Sequence, residues 1–216
     1  MRYLIIVLSM LFLPLAPARA DVHVGVGIAV PGLSIGINVP AYPRLVRVPG
    51  YPVYYDPELD QNLFFYDGLY WVLIGDDWYV SDWYNGPWTL VARVDMPLYL
   101  LRVPVRYYHR PPPYFHGWVP NRPPRWDEHW GRDWTDHRPP GWDRWDRRAA
   151  PRPAPLPHYQ RQFSGERYPR GPEQQNIIRR EHYRYQPRDP AARQHYQQMP
   201  QRQPGPPQDR GPGNRH

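Results

Sequence analysis

The chain has 216 residues, a formal net charge of +7, 32 Pro, 18 Tyr, 10 Trp and no Cys. The lack of cysteine excludes disulfides and thiolate chemistry, so a folded domain must hold by packing alone, with aromatic rings as its largest source of buried area. Charge is unevenly placed: residues Asp21 to Leu100 carry three Arg against nine acidic residues, about −6, whereas Leu101 onward carries 22 Arg against 11, about +11. All the basic residues apart from His are Arg, the side chain that forks onto carboxylate or phosphate and stacks on aromatic rings.

Residues 1–20 have the form of a secretory signal peptide: a basic Arg2, an apolar Tyr3 to Leu15, and Ala18-Arg19-Ala20 as an A-x-A cleavage signal. Cleavage after Ala20 leaves a mature chain that starts at Asp21. The apolar run is shorter than the roughly 20 residues a membrane span needs, and no later run approaches that length. The expected product is exported, without a transmembrane segment, to the periplasm, with the extracellular space as the alternative. Residues 21–40 alternate, with Val22, Val24, Val26, Ile28 and Val30 on one side, and the pattern resumes with Leu33 after Pro31-Gly32. This reads as a β-hairpin or as an N-terminal arm.

Residues 41–108 are expected to form a small β domain. Strands are expected over 44–48, 53–55, 62–66, 69–74, 78–81, 88–94 and 98–103. Asp67-Gly68 is a two-residue hairpin turn, and Gly75-Asp76-Asp77 and Asn85-Gly86 are further turns. In 69–74 both sides are apolar, Tyr70, Val72 and Ile74 against Leu69, Trp71 and Leu73, so this strand should be central and covered on both faces.

The remainder, 109–216, is rich in Pro, Arg, Trp and Gln; 22 of the 32 prolines lie from Leu101 on. Such composition predicts an extended or largely disordered tail. Short helices are expected near 126–135, where Trp126, Trp130 and Trp134 recur every four residues, near 172–185, and near 190–199, where Asp189 is an N-cap and Pro190 takes the first helical position. The expected fold class is mainly β: a small antiparallel, aromatic-rich meander or partial barrel, followed by that tail.

Catalytic patterns are weak. Asp76 and Asp77 sit in a turn and do not face each other across a cleft as a glycosidase pair does. Ser164-Gly165 lacks a strand-to-helix elbow. His129, Asp133 and His137, spaced by four, are the one metal-ligand pattern, and Gly131 and the Trp residues of the same segment compete with it. No cofactor is expected, and the chain is not expected to be an enzyme. Pro111-Pro112-Pro113-Tyr114 has the form of a Pro-rich recognition ligand but reads better as a polyproline exit from the domain.

The rhythm Trp71, Gly75, Trp78-Tyr79, Gly86, Trp88 resembles one unit of the glycan- and choline-holding repeats of cell-wall-binding proteins, which use several units in tandem. Over nearly the whole mature chain, VPGYPVYY, FFYDGLYWV, SDWYNGPW, LRVPVRYYHRPPPYFHGW and RYQPRDP resemble an uncharacterised family of exported proteins of Gram-negative bacteria. That resemblance implies location and the joining of β module to tail; it implies no activity and no site residues.

The expected function is a non-catalytic envelope protein whose basic tail binds an anionic envelope component or a protein partner. Its contact residues would be Arg125, Trp126, Trp130, Arg132, Trp134, Arg144, Trp145, Arg147 and Arg148. Export argues against nucleic acid as the ligand. The alternative is a glycan- or peptidoglycan-binding module using Trp78, Tyr79, Trp83, Tyr84 and Trp88. The charge split suggests one more arrangement, in which the basic tail lies on the acidic front.

Overall fold

The computed structural model describes residue 39 and residues 41–144, 146–180 and 185–199. The expected signal peptide, the hairpin or arm at 21–38, and the chain end from 200 lie outside the described residues.

Among these residues the strands β1 (Val46–Arg47), β2 (Val53–Tyr55), β3 (Asn62–Tyr66), β4 (Leu69–Ile74), β5 (Asp77–Ser81) and β6 (Thr89–Val91) form one antiparallel sheet in sequence order. This is a meander. Tyr66 pairs with Leu69 across Asp67 and Gly68, whose φ values of 47° and 90° are those of the two-residue hairpin turn that matches sheet twist. β1 is shorter than expected because two N–H groups upstream of it are engaged elsewhere. Arg44 N–H donates to Asp56 Oδ2 (2.8 Å) and Leu45 N–H to the Pro43 carbonyl (3.1 Å).

The expected seventh strand is instead helix α1 (Leu98–Leu101). Adjacent Leu100 and Leu101 are both buried in one cluster, which a helical turn permits and the alternating sides of a strand do not. The expected strand at 88–94 ends at Val91, and a 3-10 turn follows at Arg93–Asp95.

The sheet is covered on both faces, as β4 predicts. Phe64, Tyr66, Leu69, Trp71, Leu73, Trp78, Val80 and Val91 face one cluster; Leu63, Phe65, Tyr70 and Val72 face the other. What covers them differs from expectation. Residues 109–144, 146–180 and 185–199 do not trail away: helix α2 (Trp126–His137) and α5 (Pro190–Gln198) cover the first face, and α3 (His158–Phe163) and α4 (Pro172–Arg180) reach the second. The extended, largely disordered tail is therefore corrected for these residues, and the mainly β expectation holds for the sheet but only in part for the chain. The physical reason lies in the tail's own aromatic rings. Trp126, Trp130, Trp134 and Tyr159 remove large apolar areas from water, enough to order chain that is poor in regular structure.

The helix expected near 126–135 is present as α2. It is kinked at Gly131, whose φ of 75° and ψ of −164° are open to glycine and strained for other residues. All three indoles are buried and all three donate hydrogen bonds: Trp126 Nε1 to the Leu101 carbonyl (2.9 Å), Trp130 Nε1 to Asp76 Oδ1 (2.9 Å) and Trp134 Nε1 to the Arg93 carbonyl (3.2 Å). Trp126 and Trp130 stack at 4.3 Å.

The last helix is held by the first hairpin. Asp189 caps α5 through Ala191 N–H (2.9 Å) and Ala192 N–H (3.2 Å), and also accepts from the Tyr66 hydroxyl (2.9 Å). Asp67, at the hairpin tip, accepts from Arg188 N–H (2.6 Å), Asp189 N–H (2.7 Å) and the Tyr185 hydroxyl (2.7 Å). Replacing Asp67 with Ala removes three charge-assisted acceptor contacts and puts a less tolerant residue at positive φ. We expect a loss of about 3 kcal/mol in urea unfolding, together with early proteolysis between residues 185 and 199. An unchanged midpoint would show that the hairpin does not anchor this segment.

Candidate anion-binding cleft

Most of the residues expected to make contacts serve the core. Trp78, Trp83, Tyr84 and Trp88 are 1%, 9%, 5% and 6% exposed; only Tyr79 of that group keeps part of its ring accessible. The expectation that Trp83 to Trp88 forms an open contact face is thereby corrected. Tyr42 sits among these rings, at 5.9 Å from Trp83 and 4.8 Å from Tyr84, and the cluster closes over the second face of the sheet. Trp126, Trp130 and Trp134 are likewise interior, so they cannot interleave with arginines at a surface. Arg125 pairs with Glu128 (3.0 Å) and lies 5.6 Å over Trp118, whereas Arg132, Arg144 and Arg148 are exposed. Trp145 lies outside the described residues, and Arg147 begins a 3-10 turn, Arg147–Ala149.

The metal pattern does not assemble. His129 turns away from Asp133 and His137 and meets Asp76 across the β4–β5 turn, Nε2 to Oδ1 at 2.9 Å, with Tyr114 stacked on its ring at 3.6 Å. His137 Nδ1 meets the Asp133 carbonyl (2.8 Å). Among the described residues no three His, Asp or Glu side chains are placed to share an ion. Asp76 also receives Trp130 Nε1 and the Arg93 guanidinium. A carboxylate so surrounded by protein donors fastens the turn to α2.

The arginines that do converge were not among the expected contacts. Between Arg44, Leu45 and Val46 at the edge of the sheet and α3 with the turn after it lies a cleft of about 550 Å³. Arg44 comes from the strand side, and Arg161, Ser164, Glu166 and Arg167 from the helix side; Leu45 and Leu156 supply its apolar walls. Among the described residues three guanidiniums against one carboxylate leave the lining at about +2. The one carboxylate is loosely engaged, with Glu166 at 3.9 Å from Arg44, while Arg44 also pairs with Glu58 at 3.0 Å. The Arg167 guanidinium donates through one terminal nitrogen to the Arg161 carbonyl (3.1 Å), so part of its fork is already engaged.

Gln160 is part of this lining and is only 3% exposed. With its amide oriented so that Nε2 donates to the Tyr70 hydroxyl (2.7 Å), its Oε1 is buried without a hydrogen-bond partner. A buried acceptor left unpaired is destabilising by about 1–3 kcal/mol; the oxygen has no accessible surface, so a donor in the cleft meets it only if the amide turns outward. The Tyr70 hydroxyl that positions Gln160 is shared with Tyr159 (2.8 Å), and burial pushes the ionisation of both phenols well up.

Sequence reasoning gave the tail's arginine excess but not this grouping, since Arg44 and Arg161 are far apart in the chain and only the docking of α3 beside β1 brings them together. No helix among the described residues is long and apolar enough to cross a membrane. No family model matches the chain, no curated protein is similar to it, and no solved structure resembles it.

Proposed function

We propose that this protein is a non-catalytic, exported component of the bacterial cell envelope that binds an anionic envelope component or an acidic protein partner through the arginine-lined cleft. The observation that carries the reading is the convergence of Arg44, Arg161 and Arg167 on one open cleft. Guanidiniums bind carboxylate and phosphate through paired, directional hydrogen bonds. Export rests on the character of residues 1–20, and a non-catalytic role is supported by the engagement of Asp76 and His129 with each other and with neighbouring donors. The glycan alternative needs exposed aromatic platforms, and its aromatic residues other than Tyr79 are interior.

The test uses the mature chain from Asp21 and its triple variant Arg44→Glu, Arg161→Glu, Arg167→Glu. Both are titrated at low salt with anionic phospholipid vesicles, inorganic phosphate, purified peptidoglycan and an acidic peptide. At least one probe should bind. That binding should weaken about tenfold or more in the variant and fall as salt is raised, because exposed pairs are screened. The three arginines are exposed, so the variant should keep its urea midpoint within about 1 kcal/mol. Binding to none of the probes, or binding indifferent to the triple reversal, would sink the proposal.

A further inference from the structure

We infer that the occupant of the cleft is an extended peptide segment bearing a carboxylate side chain, laid along the outer edge of β1. This rests on the cleft being an anion site, and four features of the cleft and its edge each match one part of a peptide.

The first is the strand edge. Among the described residues β1 pairs with β2 only, with Val46 opposite Tyr55 and Arg47 opposite Tyr54, and Val48 N–H donates to the Val53 carbonyl (2.9 Å). In an antiparallel pair, alternate residues direct both backbone groups at the partner. Val46 and Val48 therefore face β2, and Arg47 N–H and C=O point outward. Leu45 N–H is taken by the Pro43 carbonyl and Arg47 is not part of the cleft's lining, so the outward groups are the Leu45 carbonyl at the cleft and, one register step beyond it, Arg47 N–H and C=O. An exposed edge is a template for a further strand.

The second is charge. Arg44, Arg161 and Arg167 line the cleft and give it the charge that attracts a carboxylate, while Glu166 on the same rim disfavours a dense polyanion. The third is Gln160, a lining residue whose Oε1 is buried without a partner among the described residues; that oxygen meets an occupant only when the amide turns outward, and a peptide N–H is the donor it would then take. A peptide carries N–H groups beside its carboxylates; phosphate and sulfate in their ionised forms offer acceptors. The fourth is the apolar wall of Leu45 and Leu156, suited to the aliphatic side chain next to the acidic one. Among the described residues no aromatic ring lines the cleft to give the stacking surface that a sugar or a nucleobase would use.

The experiment measures fluorescence polarisation of the mature chain with a labelled peptide, acetyl-Ser-Val-Glu-Val-Asp-Val-Ser-amide. Two further versions carry backbone N-methyl groups, one on each set of alternate residues, and inorganic phosphate and anionic phospholipid vesicles serve as unlabelled competitors. The parent peptide should bind with a Kd on the order of 10–100 μM. Methylation of the edge-facing set should weaken it about tenfold, and methylation of the other set much less. Arg161→Gln with Arg167→Gln should weaken it by a similar factor. If phosphate or vesicles bind in an arginine-dependent way and the peptide does not, the peptide inference is overturned while the anion reading stands. If neither methylated version differs from the parent, strand addition is overturned. If nothing binds, both fall.

Discussion

A chain ending at Tyr108 should fail to fold. The sheet and all its strands lie before that point, so a self-sufficient β domain would survive the cut. The packing says otherwise. Phe115, Trp126, Trp130, Trp134 and Ala192 belong to the cluster on one face, and Ala154, Tyr159 and Ile178 to the cluster on the other. Their removal uncovers Phe64, Trp71 and Trp78 on the first face and Phe65 and Tyr70 on the second, all at most 1% exposed in the intact protein. Fully burying such a side chain is worth about 1.5–3 kcal/mol, so five of them amount to roughly 8–15 kcal/mol. That is the whole stability of an ordinary domain. Hydrogen bonds go too: Asn62, buried in β3, donates to the Arg110 carbonyl (2.6 Å) and accepts from Arg110 N–H (2.9 Å). The truncated chain should show no cooperative urea transition and no slow amide exchange in β3 and β4. Cooperative unfolding within about 2 kcal/mol of the intact chain would show that the later segments merely rest on a finished domain.

The same packing explains what could be read from the sequence and what could not. Asn62–Tyr66 and Leu69–Ile74 were legible to the residue because local signals agree there: β-branched and aromatic residues on either side of a turn that only a few residue pairs fit. The start of α5 was legible from Asp189-Pro190, whose cap geometry is local. The tail was misread because its prolines argue against helices and sheets, and that argument concerns backbone regularity alone. Proline has no N–H to satisfy, so a Pro-rich segment can cross the face of a sheet in extended form while the side chains between its prolines do the burying. Ala154 and Leu156 pack on the second face between Pro153, Pro155 and Pro157, and the Tyr159 ring follows them on α3. The charge split suggested tail-on-sheet docking, yet the contacts that hold it are mostly aromatic and neutral, such as Tyr54 hydroxyl to the Ala154 carbonyl (3.1 Å). The cleft was illegible for a different reason. Its arginines carry no local pattern, and Gln160 becomes a site residue only because Tyr70, ninety positions away, holds its amide.

Those interior phenols set the protein's limit at high pH. Tyr66, Tyr70, Tyr108 and Tyr159 are each at most 4% exposed, and burial drives their ionisation far above the ordinary value of 10. Tyr66 is pushed further by the neighbouring Asp189 carboxylate, and among the described residues the Tyr108 hydroxyl has no hydrogen-bond partner. Tyr42 is raised less, to about 12, by burial and by Tyr168. In the unfolded chain all of these would ionise near pH 10. Above that pH the folded state holds more protons than the unfolded one, so stability falls as pH rises; below it this contribution is fully present. Each phenol that keeps its proton contributes a slope of about 1.4 kcal/mol per pH unit, so the four together give about 5 kcal/mol per unit. A stability of 5–15 kcal/mol is consumed within roughly one to three units. The expected result is cooperative alkaline unfolding beginning above about pH 10.5, in which tyrosinate absorbance for the buried set rises together with the loss of near-ultraviolet circular dichroism. Tyr66→Phe removes one ionisable phenol along with its bond to Asp189, so the variant should start less stable at neutral pH and lose stability less steeply above pH 10. Free titration of all the tyrosines near pH 10 with the fold intact would mean that these rings reach water, and the close covering of both sheet faces would have to be abandoned.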